Sequence, residues 1–379
     1  MTSGIKKWKW GFLAGLLIIG FLFRDPLSHL FFAARLAFSI QKLASGASGQ
    51  ELDIEVTRVC RRIESRDYEA LVYRPQKSQA TIAVVLVAGI SELGCYHPKL
   101  IALSRFLSDK GFLVITPDIP EFRDFRISAE PIEQIQFWFN QIQNIEGSER
   151  VRMTGLAGVS FSGTLALITA ARPEIRDKVG FVIGIGPYCN LIRCTGNWFA
   201  AGPGTGEAGY YPTRFYAKWV AMLTALDMIE DPKDKTFLHE VLRSLLLQKK
   251  IPAASADLTA EGLRWYELAT MSAGQSDPEL AQKIEAYLIA RLYPELDPKD
   301  AVDTLRCPVF FIHGAGDDLI PSSESAELHE KILHSYLLVS PFLIHTQATD
   351  APLSLKQKIQ ASFDTWIFLY QFSRVIRQE

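Results

Sequence analysis

Two hydrophobic rhythms alternate along this chain. Residues 54–63 and 67–74 alternate as two antiparallel strands around Glu64 to Arg66, and "TIAVVLVAG" (81–89) is a continuous apolar run suited to a strand buried on both faces. A helical stretch from about 97 to 109 comes next. Four more short apolar runs follow, "GFLVITPDIP" (111–120), "VRMTGLAG" (151–158), "VGFVIGIG" (179–186) and "CPVFFIHG" (307–314), with helical or mixed stretches in the connections. Strands alternating with helices predict an α/β fold, a mostly parallel sheet flanked by helices on both faces. Between Pro187 and Asp303 the strand pattern stops, while "RFYAKWVAMLTALDMI" and "KTFLHEVLRSLLLQ" carry helical spacing. That segment is too long for a plain crossover and predicts an inserted helical cap. No internal repeat or low-complexity segment interrupts the pattern.

The N-terminus follows a third pattern. Lys6, Lys7 and Lys9 precede the uncharged run "WGFLAGLLIIGFLF" (10–23), and Trp8 and Trp10 stand where interfacial aromatics stand. As a helix this run spans about 21 Å, short of a hydrocarbon core of roughly 30 Å, a length that also suits a cleaved signal peptide. No small-x-small cleavage site follows, however; Arg24, Asp25 and Pro26 do. The expectation is an uncleaved, single-pass N-terminal membrane anchor over residues 8–23, with its N-terminus cytoplasmic and the rest outside. Arg24, Arg35 and Lys42 offset that charge bias, so the side of the membrane stays open. Residues 26–42 read as an amphipathic helix that lies on the membrane surface or packs on the following domain. The small, polar "ASGASGQ" then marks a linker. The resulting division is 1–43 anchor and amphipathic helix, 44–50 linker, 51–186 first part of the core, 187–303 cap and 304–379 second part of the core.

Charge removes some function classes. Forty Lys and Arg nearly balance 42 Asp and Glu, with no basic block or aromatic-basic interleaving for a phosphate backbone, so no nucleic-acid partner is expected. Five cysteines (Cys60, Cys95, Cys189, Cys194, Cys307) form no C-x-x-C and no Cys/His cluster at zinc spacing, which indicates no structural metal and no cofactor. Cys189 and Cys194 are spaced either to close a small disulfide loop or to serve as buried small hydrophobes.

The stretch "GLAGVSFSGT" (155–164) holds the candidate chemistry. Ser160 ends an apolar strand, Gly158 precedes it by two, Ser162 follows it by two, Gly163 comes next, and the helical run "TLALITAA" begins. This resembles the G-x-S-x-G nucleophile elbow of the α/β-hydrolase superfamily, with Ser162 in place of the second glycine. A serine hydroxyl needs a base to take its proton and a third group to orient that base. In the superfamily these follow in the order Ser, Asp or Glu, His. "PVFFIHGAGDDLIP" (308–321) resembles the family's acid loop with Asp317 as the acid; Asp318 is the rival, and an Asp pair capping the helix near Ser322 is the non-catalytic reading. His313 precedes the acid and is expected to hold the loop. Of the histidines after the acid, His329 lies in a helical run and His334 precedes the strand "SYLLVS". His345 follows that strand on a loop, where the family places its base.

The resemblance further implies an oxyanion hole made by the backbone N–H groups of Phe161 and Ile90, the latter in "AGISELG", where Ala88 and Gly89 replace the family's usual His-Gly. It covers roughly residues 80–190 and 305–375. It implies a serine hydrolase of carboxylic esters, esterase- or lipase-like, acting through an acyl-enzyme. The anchor and the aromatic "NWFAAGPGTGEAGYYPTRFYAKW" (197–219) point to an apolar or lipid-like ester, although those aromatics equally suit the cap's own core. The alternatives are an acyltransferase using the same triad and a catalytically inactive, membrane-attached binding module.

Overall fold

The computed structural model describes residues 53–63, 66–199, 213–270, 277–344, 347–348 and 354–377. The anchor, the amphipathic stretch, the linker and His345 therefore lie outside the described residues. Among the described residues, no helix is long and apolar enough to cross a membrane.

Eight strands form one sheet: β1 (Ile54–Ile63), β2 (Arg66–Pro75), β3 (Ile82–Val87), β4 (Phe112–Asp118), β5 (Met153–Val159), β6 (Val179–Ile185), β7 (Val309–Gly314) and β8 (Ser335–Ser340). Their order across the sheet is β1-β2-β4-β3-β5-β6-β7-β8. Strand β2 runs antiparallel to both its neighbours, and every pairing from β4 to β8 is parallel. Composition explains the arrangement. Every residue of β3 is buried, because a central parallel strand is covered on both faces and must be apolar throughout. β1, at the edge, pays no such penalty for Arg58, Arg61 and Arg62.

Helices α1 (Pro98–Asp109), α2 (Glu130–Gln141) and α3 (Phe161–Ala170) fall between strands of this sheet. Between β6 and β7 come α4 (Leu191–Phe199), α5 (Thr213–Thr224), α6 (Pro232–Leu246), α7 (Ala260–Thr270), α8 (Pro278–Leu296) and α9 (Lys299–Thr304). α10 (Ser322–Lys331) joins β7 to β8. Helix α3 is buried almost all round, and Ser162, Gly163, Thr164 and Ala166 on it are small enough to let it lie close against β5 and β6. The sheet and the cap belong to one compact unit, Glu51–Ala351. A second unit contains Pro352–Glu379, whose described part is α11 (Leu355–Ile376), begun by a capping box between Ser354 and Gln357.

Candidate active site

Ser160 stands between β5 and α3 with φ +59° and ψ −128°, a backbone conformation that costs a non-glycine residue about 1–3 kcal/mol. The corner is held from three sides. The Ser160 N–H donates to Ile185 O at 2.6 Å, and the Gly163 N–H donates to Ser160 O at 2.8 Å. The third hold is Ser162, fully buried, whose Oγ accepts the Val159 N–H at 2.8 Å and lies 3.1 Å from Val87 O and 2.9 Å from Val159 O. One hydroxyl thus ties the end of β5 to the end of β3. Gly158 is required for a different reason, since a Cβ there would stand 2.1 Å from Ser162 O and 2.7 Å from Gly163 N, both backbone atoms. The departure from the expected second glycine therefore has a structural use that the sequence pattern did not reveal.

Ser160 opens into a cavity of about 840 Å³. Ile90 and Phe161 line the same cavity, and Gly89 brings the loop after β3 close enough that a Cβ at that position would stand 3.6 Å from Ser160 Cβ. Among the described residues, neither the Ile90 N–H nor the Phe161 N–H donates to an acceptor within the protein. Phe161 is buried and Ile90 partly buried, and both border the cavity beside the strained serine. The rest of the wall is mostly apolar, with Leu100, Leu103, Ile127, Val220, Leu245 and Leu246 joined by the aromatic rings of Tyr188, Trp198, Tyr216 and Trp219. Both described ends of the aromatic cap stretch thus contribute to the cavity.

The acid loop follows β7. Asp317 is buried and Asp318 is exposed. One carboxylate oxygen of Asp317 accepts the N–H groups of Leu319 (3.0 Å) and Ile320 (2.9 Å), and the other lies 3.2 Å from His313 Nε2. His313, fully buried, spans the loop by donating from Nε2 to Ile320 O (2.7 Å), and its Nδ1 lies 2.6 Å from Ser325 Oγ. It holds the loop, as the sequence suggested. The Asp pair does not cap the next helix, because the N-cap residue of α10 is Pro321 and no side chain caps it. Leu319 and Ile320 line the serine's cavity, so the Asp317 loop and the Ser160 corner border one space. Trp198 Nε1 donates to Leu319 O at 2.7 Å and ties the cap to this loop.

Among the histidines, His329 bonds Ser335 Oγ (2.8 Å) and, like His334, is not part of the cavity wall. His97 is part of it, a placement that chain order could not suggest because His97 precedes the serine. Its Nδ1 accepts the Lys99 N–H at 3.3 Å, which assigns the proton of the neutral ring to Nε2; burial, and secondarily Lys99, pushes its pKa down. That ring is a donor in the form described. Cys189 and Cys194 are both buried free thiols, which answers the pairing question in favour of the small-hydrophobe reading.

Strand order, the reversed second strand and the serine corner after β5 together define the α/β-hydrolase fold. No protein-family model matches the chain, and no curated sequence matches it. Solved structures of similar shape include 2,6-dihydroxy-pseudo-oxynicotine hydrolase, 16% identical over 83% of this chain and 67% of that one, with a TM-score of 0.45. Est1E from Butyrivibrio proteoclasticus is 13% identical over 83% of this chain and 98% of its own, also at 0.45. Brefeldin A esterase, a bacterial homologue of human hormone-sensitive lipase, is 13% identical over 92% and 82%, at 0.44.

Proposed function

We propose that this chain is a serine hydrolase of carboxylic esters with an apolar acyl part, and that Ser160 is its nucleophile. One observation carries the reading: a serine held at φ +59° shares a cavity with two backbone N–H groups that have no acceptor among the described residues. In this reading His345 removes the Ser160 proton, Asp317 orients and stabilises the imidazolium, and the serine oxygen attacks the ester carbonyl. The negative oxygen of the tetrahedral intermediate takes the N–H groups of Phe161 and Ile90. His345 then returns its proton to the departing alcohol, and water, activated by the same histidine, releases the acid. The apolar part of the wall suits an acyl chain, and Lys99 and Lys249 also border the cavity. Residues 8–23 would anchor the chain in a membrane, as the lysine-flanked apolar run suggests, and so keep the cavity near lipid esters.

The test is a fluorophosphonate label with peptide mapping. Label on Ser160, lost in Ser160→Ala together with turnover of p-nitrophenyl esters, supports the reading, as does a kcat/KM that rises from acetate to octanoate. A folded wild type that neither labels nor turns over any ester would instead support the binding-module alternative.

A further inference from the structure

The two N–H groups beside Ser160 are not held alike. Phe161 opens helix α3, which is buried and hydrogen-bonded along its length, so the direction of its N–H is set by the core. Ile90 lies in an irregular segment between β3 and α1. Within residues 88–91, the hydrogen bonds among the described residues are two: the Gly94 N–H donates to Ser91 O at 3.0 Å, and the Tyr216 hydroxyl donates to Ile90 O at 2.7 Å. Among the described residues, the only side chain gripping the Ile90 backbone therefore comes from helix α5, 126 residues away in sequence.

Tyr216 is well placed to act as a fixed strut. Its ring meets Phe125 edge-on, with centroids 6.2 Å apart, and the Arg243 guanidinium lies over the other partner of that pair, 5.4 Å from the Phe125 centroid. Burial raises the phenol's pKa further above its ordinary value, so the hydroxyl keeps its proton and remains a donor across the working pH range.

We infer that Tyr216 is a positioning residue for the oxyanion hole: its hydroxyl, by holding Ile90 O, sets the angle at which the Ile90 N–H meets the developing oxyanion and makes that geometry depend on the seating of the cap. The inference rests on the reading of Ser160 as a nucleophile. Its physical basis is the narrow tolerance of such a hole, whose donors act at 2.7–3.1 Å from the oxyanion's position and lose strength steeply with angle. Removing one donor outright costs about 10²–10³ in kcat. Loosening one donor while leaving it present should cost less, about tenfold.

The variant is Tyr216→Phe, which keeps the ring and its packing. Five readings are taken on the full chain: phosphonate labelling, kcat, KM, inhibition by the product carboxylate, and inhibition by an alkyl boronic acid, whose tetrahedral adduct on Ser160 places an oxygen in the hole. The expected result is a kcat about tenfold lower, labelling and boronate affinity lower by the same factor, and KM and product-carboxylate inhibition changed less than twofold. A kcat and boronate affinity equal to wild type would overturn the inference. So would a change confined to KM, which would make the hydroxyl a substrate contact. Tyr216→Trp serves as the second variant: its indole N–H can restore a donor near Ile90 O, and recovery of boronate affinity relative to Tyr216→Phe supports the strut. If wild type itself fails to label at Ser160, the nucleophile reading falls and this inference falls with it, a result separate from a labelled wild type with an unaffected Tyr216→Phe.

Discussion

Ser162→Ala separates the two serines of the corner. The substitution removes one buried hydroxyl and no carbon, so packing is otherwise retained. It strips the Val159 N–H of its acceptor, a loss of about 1–3 kcal/mol for a buried unsatisfied donor, and removes a donation to Val87 O or Val159 O worth about 0.5–1.5 kcal/mol net. Together these predict a destabilisation of roughly 2–4 kcal/mol and a fall in Tm on the order of 3–6 °C. The measurement is urea unfolding followed by tryptophan fluorescence, paired with phosphonate labelling below the transition. Labelling at Ser160 should persist in the folded fraction, because Ser162 braces the corner and does not face the reaction. Ser160→Gly is the mirror image: it should abolish labelling while gaining about 1 kcal/mol of stability, because glycine occupies φ +59° without strain. A Ser162→Ala protein of unchanged stability, or one that is folded but unlabelled, would refute this assignment of roles.

Asp317→Asn should retain the fold and lower kcat by several orders of magnitude, whereas exposed Asp318→Asn should cost little; equal losses would move the acid by one position. With His345 as base, kcat/KM should rise with pH through roughly 6.5, because only the neutral imidazole accepts the serine proton, and a flat profile from about pH 5 to 8 would remove the histidine from the mechanism. Lys218, buried on α5 with its ammonium 5.7 Å from the Phe215 ring centroid, has its pKa lowered by burial to about 8. The unfolded chain, with a lysine pKa of about 10.4, binds that proton more tightly, so stability should climb between about pH 8 and 10.4 and sit at its low plateau below 8. Lys218→Met should therefore stabilise the protein by up to about 3 kcal/mol at pH 7 and by much less at pH 10.5, and chemical denaturation at the two values checks it. Of the five thiols, exposed Cys60 should react with a disulfide reagent in the native protein; Cys95, Cys189 and Cys307, pushed up to about 12 by burial, and Cys194, raised by the same cause, should react only after unfolding.

The strands, the helical stretch between β6 and β7 and the serine corner were legible in the sequence because each depends on neighbours along the chain. A fully buried strand such as 82–87 must be apolar at every position, and a strained strand-to-helix turn must have small residues at fixed offsets, so both leave local signatures. The loop role of His313 was legible for the same reason, since its partners Asp317 and Ile320 lie four and seven residues on. Tertiary structure decided what distant segments do to one another. Nothing in "RFYAKW" distinguishes Tyr216, which reaches Ile90, from Trp219, which bonds Ala269 O; only the folded position of α5 does. The same holds for Trp198 on Leu319 O, for His97 in the cavity wall and for Ser162 on Val87 O, contacts that span scores of residues. Periodicity records which face of an element is buried, but it carries no information about which partner covers that face, because many partners satisfy the same burial. The turn at this corner was written locally, and the contacts around it were settled only when the chain closed on itself.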